Sequence, residues 1–201
     1  ERHLNKATRN ILEVTLVVGH ETLKLYINHW PSQSNPTSDR MHAARTIAKF
    51  VESNSSKGYH SVVIGDLNVK NNETPNPINE ALINSKAEML DLESAFRNSD
   101  DISRAKKNSI PPSSYYYRRG NEWSKLDRIL ISESLLDGIS SEAVVESFHI
   151  YAHPNYSTPV SAEDDRGRNF DTWKPVRFDY LGDGQSRGAS DHFPISFQID
   201  F

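Results

Sequence analysis

The run Val62-Val63-Ile64-Gly65-Asp66-Leu67-Asn68 constrains the fold more than any other stretch of this chain. Its apolar residues are continuous rather than alternating, which is the pattern of a strand covered on both faces. Such a strand belongs inside a layered structure of sheet and helix. Gly65 permits a tight turn at the strand end, and that turn points Asp66 and Asn68 out of one sheet edge. Spaced two apart, a carboxylate and an amide can meet at one hard cation or one phosphate. An Asx turn closing the strand explains the same residues without any chemistry.

The flanking periodicities supply the other layers. Leu12, Val14, Leu16 and Val18 share one face, and Leu23, Leu25 and Ile27 resume the alternation after Gly19-His20-Glu21. The pair reads as a hairpin with one buried face. Ser38 or Asp39 is placed to cap a helix whose apolar side carries Met41, Ala44, Ile47, Ala48 and Val51. A short helix is expected over 77–85. Strands are expected over 115–117 and 126–131, as neighbours joined through Gly120-Asn121, and again over 143–150 and 193–199. Residues 151–188, polar and rich in Pro and Gly, read as a long surface loop. The sum is an α+β domain spanning residues 1–201.

At 201 residues and 36% hydrophobic content the chain can bury a substantial core. Its net charge of −4 argues against a protein held to nucleic acid mainly by an overall positive field. A nuclease remains compatible, because a catalytic metal offsets local acidic charge. The absence of Cys excludes disulfides, thiolate metal sites and a cysteine nucleophile. No apolar run approaches the roughly 20 residues of a transmembrane segment. The chain starts at Glu1, so a signal peptide is not observable, and an extracytoplasmic location stays open.

Further segments carry reactive side chains. In Asn28-His29-Trp30-Pro31-Ser32-Gln33, directly after a strand, Asn28 and His29 can face one site, or Trp30 simply anchors a loop. In Trp123-Ser124-Lys125-Leu126-Asp127-Arg128, Asp127 begins an otherwise apolar strand and needs a cation or donor. A His is a natural partner, since a carboxylate favours the charged imidazole. A local pair with Arg128 or Lys125 is the simpler alternative, although neighbouring strand residues point to opposite faces. In Gly188-Ala189-Ser190-Asp191-His192-Phe193-Pro194, Asp191 and His192 can serve a metal and a phosphoryl oxygen, or form a polar turn. Trp173 and Arg177-Phe178 are placed to anchor the preceding loop near a substrate entrance. His149, His153, Asp164 and Asp165 are spaced too irregularly for a metal site and fit a solvated loop better.

Taken in order, the strand-end His, Gly-Asp-x-Asn, Leu-Asp-Arg and Ser-Asp-His motifs resemble the endonuclease/exonuclease/phosphatase superfamily. The wording Asn-His-Trp-Pro-Ser-Gln and Ser-Asp-His-Phe-Pro is most similar to a bacterial, nuclease-like branch. The resemblance runs from Arg9 to the C-terminus and implies a four-layer α/β/β/α sandwich. It implies a divalent-metal-dependent phosphodiester hydrolase, first of all a nuclease with a nucleic-acid substrate. Water would attack phosphorus in line, with Mg²⁺ or Mn²⁺ neutralising charge. On this resemblance Asp66 orients or deprotonates the water, Asn68 holds the scissile phosphate, and His192 binds a non-bridging oxygen with Asp127 as its partner. His29 contacts the phosphate and Arg9 lies near it; Asn28, beside His29, and Arg177, from its place in the 151–188 loop, are read from the sequence itself as substrate-binding. Asp191, Asp66 and Asn68 approach the metal.

The superfamily also carries an Asn and a metal-binding Glu in an N-terminal half with no counterpart before Arg9. Much of that half is therefore expected elsewhere in the same chain or in another one, because the present segment alone would expose a large apolar face. Two alternatives stand beside the nuclease. One is a phosphatase or phosphodiesterase for a small phosphorylated molecule or lipid head group, which the acidic balance slightly favours. The other is a non-catalytic binding remnant lacking the metal-binding Glu. Tyr115-Tyr116-Tyr117-Arg118-Arg119 fits a nucleic-acid groove or, equally, an edge strand with solvated Arg residues.

Overall fold

The structure is a computed structural model that describes residues 9–164, 166–182 and 185–201. In chain order the first elements are β1 (Leu12–Val18), β2 (Glu21–His29), α1 (Thr37–Ser55), β3 (His60–Asp66) and β4 (Met89–Asp91). Then come α2 (Leu92–Asn98), α3 (Arg104–Asn108), β5 (Tyr115–Tyr117), β6 (Glu122–Ser124), β7 (Asp127–Ser132) and β8 (Glu142–Ile150). The last are β9 (Ser157–Glu163), β10 (Asn169–Pro175), β11 (Asp179–Gly182), β12 (Gln185–Arg187) and β13 (Ile195–Asp200). The α+β class expected from the sequence is borne out. The chain, read as one domain, divides into two compact units: residues 1–95, 126–144 and 198–201 in the first, 96–125 and 145–197 in the second.

The first unit is built on a five-stranded sheet in the order β1-β2-β3-β7-β4. β3 runs parallel to β2 and antiparallel to β7. As the unbroken apolar run requires, β3 is covered on both faces, with Val62 and Val63 each at most 1% exposed. On one face α1 buries Met41, Ala44, Ile47, Ala48 and Val51 against Tyr26, Trp30, Val63 and Leu130. The π-helical turn Asn79–Ile83 closes the same core through Ala81 and Leu82.

Two expectations for this unit are corrected. The helix is present, but its N-cap is Pro36 and no side chain caps it, so neither Ser38 nor Asp39 has that role. In the β1–β2 hairpin the expected apolar side is buried at Leu23, 4% exposed, while Tyr26 and Asn28, on the side expected to be polar, are buried as well. Tyr26 is 1% exposed, stacks on Phe50 with ring centroids 6.1 Å apart, and accepts a 2.8 Å hydrogen bond from Asn54. Leu12, Leu16 and Val18, on the other side, are 58%, 43% and 43% exposed. The reason is the position of α1, whose apolar face meets the Tyr26 side of the sheet.

The second unit holds the two-stranded ribbons of β5 with β6, β9 with β10, and β11 with β12, together with residues 145–150 of β8 and 195–197 of β13. Phe96 and Phe148 pack 5.6 Å apart within it. β5 turns back onto β6, so the expected pairing of 115–117 with 126–131 is replaced by Tyr115↔Ser124 and Tyr116↔Trp123. Residues 151–188 are likewise not a structureless loop. They hold the β9–β10 hairpin, in register from Ser157↔Pro175 to Glu163↔Asn169, and then β11 and β12. Pro159 sits where a ribbon with no further neighbour tolerates a missing N–H. Among the described residues no helix is long and apolar enough to cross a membrane.

Candidate functional site

Three adjacent strands of the first unit bring three titratable residues into one row. His29 is the register partner of Asp66 across β2 and β3, and Asp66 is the partner of Asp127 across β3 and β7. Directly paired residues project to the same face, so the imidazole and the two carboxylates share a side of the sheet. His29 Nε2 lies 3.6 Å from Asp66 Oδ2. The His29 side chain is 55% exposed and that of Asp66 18%, so the row opens to solvent at its His29 end. The other oxygen of Asp66, Oδ1, accepts the Asn68 N–H at 2.9 Å. The Asx turn is therefore real, and it fixes the carboxylate.

The neighbouring row, Asn28, Gly65 and Arg128, projects to the opposite face. Gly65 has φ 127°, and a Cβ there would overlap the carbonyl oxygen of Asn28. This is why a glycine ends the apolar run. Asn28 is 5% exposed and its amide is engaged: Nδ2 donates to the Tyr26 carbonyl at 2.7 Å, and Oδ1 accepts from Trp30 Nε1 at 2.9 Å. That arrangement makes Asn28 a brace for the strand end carrying His29. Asn68, 7% exposed and at φ 52°, donates from Nδ2 to the Trp30 carbonyl at 3.1 Å. Arg9 Nη1 donates to the same carbonyl at 2.9 Å. Arg9, Trp30 and Asn68 thus converge on one peptide beside His29.

Two buried ion pairs stiffen the surroundings. Arg40 donates to Glu73 at 2.6 Å and to the carbonyls of Ser32 and Asn35 at 3.0 and 3.2 Å, which pins the loop after Trp30. Burial raises the pKa of Glu73, but hydrogen bonds from Arg40, Thr37 and Gln33 outweigh it and hold the carboxyl below its ordinary value. Arg128 donates to Asp91 at 2.6 Å and to Asn71 at 2.5 Å. The sequence reading offered Arg128 only as a possible mate for Asp127. A charged residue alternating with Asp127 in an apolar strand signals a second buried pair on the far face, and that signal was available.

In the second unit, residues 188–193 are held by main-chain bonds. Gly188 has φ 67° and a Cβ there would overlap the Val176 carbonyl, which accepts the Ala189 N–H at 3.0 Å. The Phe193 N–H donates to the Ser114 carbonyl at 2.8 Å. His192 forms a β-bridge with Tyr115, whose ring lies 4.7 Å from the imidazole at 37°, and its N–H donates to Ser190 Oγ at 3.1 Å. The sequence marks Tyr115 only as part of the Tyr115–Arg119 cluster, and its contact with His192 emerges from the fold. Asp191 is half-buried, and Arg177 is exposed just after β10.

The donors fit a resident metal poorly. Among the described residues no group of three or more His, Asp or Glu is gathered closely enough to hold an ion. Asn68, expected beside Asp66 as an oxygen donor, is held through its amide nitrogen by the Trp30 carbonyl, a bond that does not engage the side-chain oxygen. Asp164, from the irregular His/Asp set, is instead salt-bridged to Arg104 and Arg168. Asp165 lies outside the described residues.

A family model described as "Endonuclease/Exonuclease/phosphatase family" matches residues 2–200. Solved structures match as well. A humanized D. rerio TDP2 with 14 mutations is 13% identical, with a TM-score of 0.51 over 96% of this chain and 61% of that one. D. rerio TDP2 complexed with a single-strand DNA product is 14% identical, with a TM-score of 0.50, covering 96% and 62%. An endonuclease/exonuclease/phosphatase family protein from Bacteroides thetaiotaomicron is 14% identical, with a TM-score of 0.46, covering 89% and 50%. At these identities the two TDP2 likenesses show a shared fold. The chain spans only 50–62% of the three solved chains. None of the curated proteins matches it.

Proposed function

The chain belongs to the endonuclease/exonuclease/phosphatase family, and on that premise we propose that it takes part in phosphodiester hydrolysis, with nucleic acid as the substrate. The observation that carries this reading is the His29–Asp66–Asp127 row, in which a fixed carboxylate faces solvent beside an imidazole. A carboxylate so held can take a proton from water as the water oxygen bonds to phosphorus. The P–O bond to the leaving group breaks on the opposite side, and the leaving oxygen takes a proton from solvent water. His29 meets the phosphate at the exposed end of the row. His192, aligned by Tyr115, is assigned by family resemblance as the donor to a non-bridging oxygen. Asp191 is assigned to the metal on family resemblance, and Arg177 to substrate from its exposed place after β10.

Enzymes of the family generally use a divalent metal, and we assign Mg²⁺ or Mn²⁺ to this one. The described donors do not close a cation's shell, and the proton transfer from the attacking water is assigned to the side chains alone. We also assign the exposed Leu12, Leu16 and Val18 face to contact with a further part of the same fold, in this chain or another. An apolar face of that kind normally marks a contact surface.

The test is hydrolysis of plasmid DNA and of inositol phosphates with added Mg²⁺, with Asp66→Ala as control. DNA cleavage lost in the control supports the proposal. Inositol phosphate turnover alone moves the reading to a phosphatase, and turnover of neither overturns it.

A further inference from the structure

A cavity of about 430 Å³ opens beside His192 in the second unit, lined by Tyr151, His153, Tyr156, Ser190, Phe193 and Pro194 among others. Its size lies within the range of small-ligand pockets. The walls are held in place. The Tyr151 N–H donates to the Pro194 carbonyl at 2.9 Å, which ties the 151–156 segment to the 188–194 segment. The Tyr156 carbonyl accepts the Val176 N–H at 3.2 Å, and the Val176 carbonyl in turn holds Ala189. Phe193 forms a buried floor at 6% exposure, while Tyr151 and Tyr156 stand 53% and 52% exposed.

Both tyrosines are braced by histidine. Tyr156 lies 5.5 Å from the His153 ring, and Tyr151 lies 4.5 Å from the His149 ring, edge to face. Exposed aromatic rings with restricted orientation offer flat faces to solvent at little further entropic cost. The polar groups here are few and partly engaged: Ser190 Oγ accepts the His192 N–H, and the Tyr151 hydroxyl accepts from Ser196 Oγ at 3.3 Å. A polyhydroxylated ring such as inositol needs many donors and acceptors to replace its water, and these walls do not supply them. A planar heterocycle needs mainly ring faces.

We propose that this cavity is a base subsite that takes the nucleobase of the nucleotide whose phosphate meets His192, stacked against Tyr156 or Tyr151 over Phe193. The inference rests on the hydrolase reading for its phosphate and goes beyond it in selecting a base-bearing substrate over a sugar or inositol phosphate.

The experiment measures affinity directly, in the Asp66→Ala background so that nothing is turned over. The probes are a nucleoside monophosphate, ribose 5-phosphate, a short single-stranded oligonucleotide, and an abasic strand of equal length. Each is titrated by calorimetry against the full chain, and against the chain also carrying Tyr156→Ala, Tyr156→Phe or Tyr151→Ala. The base-bearing member of each pair should bind about tenfold more tightly, as a single base–aromatic stack implies. Tyr156→Ala or Tyr151→Ala should bring it toward the abasic partner, and Tyr156→Phe should retain the preference. A mononucleotide preference equal to that of the strand identifies an isolated nucleotide site, and a larger strand preference identifies a strand site; either supports the subsite. Equal affinity for base-bearing and abasic probes overturns it, as does a preference untouched by both alanine variants. Base preference without hydrolysis by the unmodified chain would sink the hydrolase reading and leave the pocket standing, and hydrolysis without base preference would do the reverse.

Discussion

His29 and Asp66 are register partners on parallel strands, and their side chains approach to 3.6 Å at the sheet edge. Neither contact partner depends on a loop for its position, since both sit on the last residue of a strand. Asp66→Asn keeps the shape and the Asn68 bond but removes the proton acceptor. We expect hydrolysis to fall by about 10²–10⁴-fold with an unchanged melting temperature, checked by initial rates and thermal denaturation. An unchanged rate would remove Asp66 from the chemistry.

Gly65→Ala should damage the same site indirectly. The added methyl would overlap the Asn28 carbonyl, and the backbone there favours glycine. A loss of roughly 1–3 kcal/mol is expected from the strained backbone alone, measured by urea unfolding. Because Asn28 braces the strand end carrying His29, the rate should also drop at temperatures where the variant is still folded.

The Arg128–Asp91 pair has both side chains under 10% exposed. Replacing Arg128 with Met leaves a buried carboxylate without that guanidinium and should cost about 3–5 kcal/mol. Replacing both partners with apolar residues of similar size should recover much of the loss, and a double-mutant cycle reads the difference.

The Glu73 carboxyl is held below its ordinary value of 4.5 in the folded protein. The unfolded chain therefore binds that proton more readily, and stability from this group is complete above pH 4.5. It is lost as pH falls through the lower folded-state value. Glu73→Gln should flatten the stability profile below pH 4.5, as followed by unfolding at a series of acidic pH values.

Chelation should abolish hydrolysis, and Mg²⁺ or Mn²⁺ should restore it. If chelator-treated protein keeps its full rate, the metal leaves the proposal.

The sequence made some of this legible and hid the rest for physical reasons. Val62 to Ile64 announced a doubly covered strand, and Gly65-Asp66 announced its end, because burial and backbone sterics act locally. The row linking His29, Asp66 and Asp127 could not be read, since register between β2, β3 and β7 depends on how the strands align in space. Burial on the second side of the first hairpin was missed because Tyr26 and Asn28 look polar by type yet pack or bond under α1. The β9–β10 ribbon escaped notice because a half-exposed pair of strands needs no clean apolar face. Tyr151 and Tyr156 escaped with it, as their meaning comes from a cavity shared with residues about forty positions later.

The exposed Leu12, Leu16 and Val18 also lie on an edge strand of their sheet. Where the further part of the fold assigned to that face is supplied by another chain, an apolar edge of this kind is joined between molecules. Such pairing is second order in protein, so dilution works against it and concentration drives it. The species present in a nanomolar assay and in a millimolar sample need not be the same, and rates should be compared across a dilution series before they are compared between variants.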